Sequence, residues 1–381
     1  MSDGLGVAVV GAGAEQWSSI AHIPALTSTE GVRLARLVTS NPDSARNAAD
    51  RWNVPASSDL DTALSDDSVG LVTISLRAAK HADIARRAIA AGKHVYCEWP
   101  LATNAREARD LAELSATRPD RLHVVGLQGR LSPGVTAAAT LIRSGAMGRP
   151  LAAGVRVLLP QGLQARPRHR AHLRHRASGA NVLTIQGGHA IDMLTTMLGR
   201  FARPVAAAAW TAVDHFTVLE TSEQLPRDAP DNAIVILDLG GVPVSVQLSQ
   251  TAAATDVSMQ ILGTQGQVTL IAPDQPQMSQ PDVTFTPLSG PPRALGASEA
   301  VPGIALPPAH PGYQVAIAYK AIARTIRDGS AASMGSGDAR ELALFSDAVI
   351  LHDLLDELTR QSETSVYQTG YVATRTGSGR A

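Results

Sequence analysis

Glu98 and Trp99 stand where a short apolar run, Val95-Tyr96-Cys97, meets Pro100. The run suits a buried strand, and proline cannot donate to a ladder, so the strand should end there. A carboxylate and an indole are thereby set at the carboxyl end of a strand, the edge where open parallel sheets bind ligands. Glu98 could touch a cofactor or serve as a capping or salt-bridged carboxylate. Trp99 could form a flat wall against cofactor or substrate, or plain core packing. It can be neither acid nor base, since an indole only donates a hydrogen bond.

A second group is Gly11-Ala12-Gly13, which follows the apolar run Gly6–Val10 and leads to Gln16 and Trp17. The first glycine permits a tight turn, and the second lets backbone approach a pyrophosphate at a helix start. Gln16 occupies the place of the third glycine in G-x-G-x-x-G, so the motif alone is weak. The next strand, Val32–Thr39, ends at Ser40-Asn41-Pro42, where a dinucleotide unit places its ribose reader. Asp43 comes only after the proline, and Arg46 is the nearest following positive charge. NAD and NADP both remain open.

The third group is Arg166-Pro-Arg168-His169-Arg170-Ala-His172-Leu-Arg174-His175-Arg176. It belongs to a wider asymmetry: between Asp120 and Asp192 there is no acidic residue, but arginine occurs at positions 121, 130, 143, 149, 156, 166, 168, 170, 174 and 176. An anionic substrate and a solvated surface loop are competing readings. Metal binding by the three histidines is disfavoured, because neighbouring guanidinium groups repel a cation and no carboxylate assists. Nucleic acid fits poorly, since no aromatic residues interleave the charges.

The elements that must position these groups follow in order. Strands at Leu71–Ser75, His94–Cys97 and Leu122–Leu127 alternate with helices near His81–Ala91 and Asn104–Thr117, which implies a parallel sheet with right-handed crossovers. The first domain should span residues 1–130, with a connecting helix at Pro133–Ser144. Strands near Leu151–Leu159, Val205–Val213, Ala233–Leu239, Val242–Gln250, Asp256–Leu262 and Gln267–Ala272 predict a mostly antiparallel sheet in a domain of residues 131–361. A helix is expected at Gly179–Leu198. Long loops should fill Pro273–Gly312, helices Tyr313–Asp328 and Asp338–Arg360, and a loose tail residues 362–381.

The 381 residues allow two or three domains, and the apolar content of 44% is that of a globular protein. No run reaches the length of a membrane span, and the amino terminus lacks the pattern of a signal peptide. Cys97 is the only cysteine, which points to a reducing cytoplasm and to a small buried hydrophobe. A net charge of −1 gives no general pull toward nucleic acid or a membrane.

Taken together, the motifs resemble the glucose–fructose oxidoreductase and inositol dehydrogenase family (Gfo/Idh/MocA). The matching pieces are Gly11-Ala-Gly13 with His22-Ile-Pro24-Ala-Leu26, His81 after the Leu71 strand, and Gly92-Lys-His-Val95 leading to Glu98-Trp99-Pro100. Ser144-Gly145-Ala-Met-Gly148, Gly187-Gly-His189-Ala-Ile-Asp192 and Gly263-Thr-Gln-Gly266 continue the order across almost the whole chain. Within the family the chain looks most like the branch containing the yeast galactose-regulon repressor, which binds cofactor without known turnover. Trp17, Glu98-Trp99, Leu127-Gln128-Gly129-Arg130-Leu131-Ser132-Pro133 and His310-Pro311-Gly312-Tyr313 carry that likeness.

The resemblance implies a Rossmann domain plus an α/β domain with a large open sheet, whose outer face commonly makes dimers or tetramers. It also implies cofactor contacts from Gly11, Gly13, Gln16, Trp17, Ser40, Asn41, Leu76, His81, Glu98, Trp99 and Gln128. Two departures bear on chemistry. Trp99 stands where family enzymes usually carry lysine, and Ile185 where they carry an aspartate four residues before the histidine. His189, Gln186 and Thr184 are left to serve catalysis, with a structural role for His189 as the alternative. The resemblance therefore implies an NAD(P)-dependent oxidoreductase of a small polar or anionic metabolite. Its rivals are a cofactor-binding regulator without turnover and a redox-neutral enzyme that keeps its dinucleotide.

Overall fold

The computed structural model describes residues 4–275, 277–296, 300–329 and 341–363. The start of the helix expected at Asp338 and almost all of the expected tail lie outside these residues. Strand β1 (Leu5–Val10) leads through a wide π-type turn, Ser18–His22, into α1 (Ile23–Thr27). Then come β2 (Val32–Val38), α2 (Pro42–Trp52), β3 (Ala56–Ser57), α3 (Asp61–Leu64), β4 (Leu71–Ile74) and α4 (His81–Ala90). The first unit closes with β5 (His94–Glu98), α5 (Ala105–Ala116) and β6 (His123–Gly126). The six strands pair in parallel in the order β3-β2-β1-β4-β5-β6. β4 and β6 are buried along their whole length, as expected of strands covered on both faces.

α2 had no counterpart in the sequence reading, and its start explains Asn41. The Asn41 side chain accepts from the Ser44 N–H at 2.9 Å, and Pro42 occupies the first helical position.

Helix α6 (Pro133–Arg143) connects to β7 (Pro150–Leu158), followed by α7 (Gly188–Leu198), β8 (Arg203–Trp210) and a small hairpin of β9 (His215–Thr217) and β10 (Gln224–Pro226). Strands β11 (Asn232–Asp238), β12 (Pro243–Ser249), β13 (Asp256–Gly263), β14 (Gly266–Ala272), β15 (Asp282–Pro287) and β16 (Arg293–Ala294) complete a second sheet. Its order is β16-β15-β14-β13-β7-β12-β11-β8, antiparallel except between β12 and β7. β15 and β16 correct the expectation of long loops over Pro273–Gly312; Val283 and Phe285 bury one face of β15 against the core.

Along β11 the inward residues Ala233, Val235 and Leu237 alternate with the exposed Ile234 and Ile236, the period of a strand with one buried face. The helix expected from Gly179 begins only at Gly188, after a π-type turn over Val182–Gly187 that Asn181 caps.

The last two helices, α8 (Tyr313–Arg327) and α9 (Phe345–Glu363), return to the first unit. α8 packs with α1 in one apolar cluster, and Val125 donates its N–H to the Ala343 carbonyl at 2.9 Å. A division at residue 130 therefore separates the two sheets but not the packing. Among the described residues, no helix is long and apolar enough to cross a membrane.

Candidate active site

The glycine turn is pinned by its backbone. Gly11 has a φ of +101°, and a Cβ there would lie 2.2 Å from the Ser75 carbonyl oxygen, so only glycine fits. Its N–H bonds to the Val38 carbonyl at 2.9 Å, which fixes the turn against β2. Ser18 and Ser19 donate their hydroxyls to the Gly11 and Gly13 carbonyls at 2.7 and 2.8 Å. Neither serine stands out in the sequence, since they lie seven and six residues beyond the glycines they hold. At Gly13 a Cβ would meet only Gln16 Cγ, at 3.2 Å, leaving a cradle above the turn. This turn fits a pyrophosphate.

Four elements converge on Glu98 at the end of β5. His22 Nε2 lies 3.0 Å from Glu98 Oε1, His22 Nδ1 lies 2.8 Å from the Tyr319 hydroxyl, and that hydroxyl lies 2.9 Å from Thr73 Oγ1. One assignment satisfies every group: Thr73 donates to Tyr319, Tyr319 to His22 Nδ1, and His22 Nε2–H to Glu98. The residue opposite Glu98 on β6 is Gly126, where a Cβ would come within 2.8 Å of the carboxylate oxygen. The sequence reading missed Tyr319, which reaches the site from α8.

Other residues assigned to the cofactor have more specific places. Leu76 is exposed beside Gly11. Ser40 and Asn41 sit at the end of β2, with the Asn41 oxygen engaged in capping α2. Gln16 and Trp17 flank the glycine turn, and Trp17 packs against the cluster around α8. His81 requires a correction. It is only 1% exposed, and its ring nitrogens face the Pro100 carbonyl at 2.8 Å and the Leu76 carbonyl at 3.0 Å. Burial lowers its pKa, so the neutral ring donates to one carbonyl at a time. Its ring thus joins the Leu76 loop to the turn after β5.

Trp99 lies between the two units. Its Nε1–H donates to the Thr184 carbonyl at 2.8 Å, and its ring lies 4.7 Å from that of His352 on α9. Gly188 lets α7 press on the indole, since a Cβ there would come within 2.5 Å of Nε1. At 5% exposure, the indole is enclosed rather than presented as an open wall. Thr184 is likewise corrected: its hydroxyl accepts from the Asn181 N–H at 2.9 Å, within the cap of the turn before α7.

The opposite wall is lined by amides. Gln250 donates to Gln186 at 3.4 Å, Gln186 to Gln275 at 3.3 Å, and Gln277 to Gln275 at 3.3 Å. Gln128 crosses from the first unit to the Gln277 carbonyl at 3.4 Å. The side-chain oxygens of Gln128 and Gln277, and Nδ1 of His189, are buried without a hydrogen-bond partner. His189 is 4% exposed, and burial pushes its pKa down to about 3, so at neutral pH it is an uncharged imidazole. Arg130, after β6, pairs through Nε and Nη2 with the two carboxylate oxygens of Asp192 on α7, a buried bond between the two units. Sequence gave no sign of Gln250, Gln275 and Gln277, because no local spacing ties them to Gln186.

The arginine-rich segment is folded in short 3₁₀ turns. Its start is tied to β9 and to the loop after it by Arg166 N–H to the Thr217 carbonyl at 2.9 Å and Leu219 N–H to the Arg166 carbonyl at 2.9 Å. Arg168 pairs with Glu223, and Arg176 lies 3.7 Å from Glu363. Among the described residues no group of three or more His, Cys, Asp or Glu could hold a metal ion.

A parallel sheet with a dinucleotide turn, faced by a histidine-bearing helix on an open antiparallel sheet, defines a two-unit oxidoreductase fold. Residues 5–125 match the oxidoreductase family with an NAD-binding Rossmann fold, and residues 135–269 match the GFO/IDH/MocA C-terminal domain. The chain belongs to the Gfo/Idh/MocA family, and its first unit is an NAD(P)-binding domain.

Dehydrogenase aclE of Aspergillus oryzae is 33% identical over 203 residues, covering 52% of this chain and 55% of that protein. The matches span about half the length of the curated relatives, with 43% of an inositol 2-dehydrogenase from Gluconacetobacter diazotrophicus covered at 35% identity over 38% of this chain. Among solved structures, a super-repressor mutant of Gal80p from Saccharomyces cerevisiae aligns with a TM-score of 0.82 at 19% identity, over 94% of this chain and 96% of that one. Levoglucosan dehydrogenase in complex with NADH and levoglucosan aligns at 0.78 and 22%, over 94% and 97%. At these identities the structural likeness concerns the fold.

Proposed function

We propose that the protein is an NAD(P)-dependent oxidoreductase acting on a small polar metabolite held between the β5 edge and α7. The observation that carries this reading is the seam where Trp99, next to Glu98 at the end of β5, donates to the Thr184 carbonyl and is pressed by Gly188, next to His189 on α7, in a chain whose first unit carries a dinucleotide turn. The bound cofactor would supply hydride exchange. Glu98, held by His22, would position the cofactor end of the site. Gln186 and Gln250 would orient the substrate, and the neutral His189 would exchange one hydrogen bond with it.

On the family resemblance, Trp99 and Ile185 stand where enzymes usually carry a lysine and an aspartate that handle the proton. A positioned acid–base group contributes about 3–5 kcal/mol, whereas orientation alone contributes roughly 7–11 kcal/mol. The site therefore suits a substrate that demands little proton transfer at the reacting carbon, such as an iminium ion or an activated alkene.

Purified protein with NAD or NADP and candidate substrates should change absorbance at the reduced-nicotinamide band. His189→Ala should slow that change without abolishing cofactor binding; an unchanged rate would remove His189 from the site. A second reading, a cofactor-binding regulator without turnover, draws support from the enclosed Trp99. It predicts NADH binding, a protein partner in pull-down and no turnover. The exposed Ile234, Ile236, Leu262 and Ile271 on the second sheet support association of two copies through that face.

A further inference from the structure

The arginines of the segment Arg166–Arg176 fall into two sets. Arg168 and Arg176 are matched by Glu223 and Glu363, and Arg174 donates to the Pro226 carbonyl at 3.2 Å. Arg166 and Arg170 are half-buried, and neither makes a hydrogen bond or ion pair through its side chain among the described residues. Arg166 N–H bonds to the Thr217 carbonyl at 2.9 Å and Arg227 N–H to the Asp214 carbonyl at 2.8 Å, so both flank the β9–β10 hairpin, and the Arg227 side chain is 6% exposed.

Among the described residues the ion-pair partner of Arg227 is Asp231, 3.8 Å away, and it already accepts from the Ala212 and Val213 N–H groups at 2.8 and 2.9 Å and from Asn232 at 2.8 Å. Two of the three positive charges are thus uncompensated. Burial and the neighbouring Arg170 and Arg227 push the Arg166 pKa down to about 10. Such crowding is costly unless an anion joins it.

The position of this cluster is informative. Arg227 donates to Gln250 Oε1 at 2.9 Å, and Gln250 donates to Gln186, three residues before His189. Two hydrogen bonds therefore join the cluster to the turn that leads into α7.

We propose that Arg166, Arg170 and Arg227 form an anion subsite that holds the carboxylate of a sugar acid or other polyhydroxy acid, while Gln250 and Gln186 bond its hydroxyls beside His189. Planar guanidinium groups suit a carboxylate, and charge-assisted bonds are roughly twice as strong as neutral ones. The inference rests on the oxidoreductase reading for the identity of the cleft.

The test compares glucuronate, galacturonate and gluconate with glucose, galactose and glucitol by calorimetry on the intact protein loaded with NADH. NADH affinity is measured separately by fluorescence. At least one acid should bind tenfold or more tightly than its neutral counterpart, and Arg170→Gln should abolish that preference while NADH binding is unchanged. Arg170→Lys should retain part of it and serves as a check on folding. No acid exceeding its counterpart, or a preference that survives Arg170→Gln, overturns the subsite. Loss of NADH affinity in Arg170→Gln assigns the arginines to the cofactor phosphates and also overturns it. Wild-type protein that binds no NADH brings down the oxidoreductase reading, and titration of the acids into the cofactor-free protein then decides the subsite alone.

Discussion

The two walls of the cleft treat their polar groups in opposite ways. On the sheet-edge wall, Thr73, Tyr319, His22 and Glu98 form a chain in which each member has its partner, and two serine hydroxyls hold the glycine turn. On the facing wall, His189 Nδ1 and Gln277 Oε1 are buried without partners, and two arginines lack counter-charges. Buried polar groups are normally satisfied, and an orphan costs about 1–3 kcal/mol. The first wall is the more complete, although Trp17 Nε1 and the Tyr96 hydroxyl there are also buried without partners. The second leaves its histidine and arginines to be met by the proposed substrate.

The strongest attempt to break this contrast is to part the walls. Arg130→Ala leaves Asp192 buried and unpaired, and should destabilise the protein by about 3–5 kcal/mol in urea unfolding. A change below about 1 kcal/mol would mean that the walls are held together by other contacts.

Damage to the complete wall should be next in size. Gly11→Ala forces a Cβ against the Ser75 carbonyl at a left-handed φ, and NADH affinity by fluorescence titration should fall about a hundredfold, equivalent to roughly 2.7 kcal/mol. Retained affinity would show that the turn does not bear the cofactor.

Acidification should act on both walls. Burial lowers the pKa of His189 to about 3 and of His94, His123 and His352 to about 4, from 6.5. The unfolded chain takes up protons at these rings below about pH 6.5, whereas the folded chain does so only near pH 3–4. Stability is therefore full above pH 6.5 and declines as pH falls through that window, by up to about 1.4 kcal/mol per pH unit for each histidine. Denaturation at pH 7 and pH 5 measures the decline, and His352→Gln should reduce its slope.

The smallest effect sharpens the contrast. Asn41→Ala removes the α2 cap and should cost about 1 kcal/mol of stability in urea unfolding. A much larger loss of NADH affinity than of stability would give Asn41 a ligand as well as a cap.

The sequence was informative where function is written in consecutive residues. Gly11, Gly13 and the strand ending at Glu98 could be placed because a tight turn and a strand terminus are local geometries. Trp99 could be placed at the end of that strand, but its enclosure could not, since Gly188 and His352 come from distant helices. The amide chain was hidden for the same reason: Gln186, Gln250 and Gln275 meet only through the second sheet. The hairpin at residues 215–226 escaped notice, although its acidic residues are those that neutralise part of the arginine segment.

Tyr319 lies 297 residues from His22, yet its hydroxyl completes the chain that ends at Glu98. A fragment cut at the boundary of the first sheet would lack that hydroxyl and the α8 face that covers α1. The protein should therefore melt as one cooperative body, with a calorimetric enthalpy that matches the van't Hoff value, although it contains two sheets.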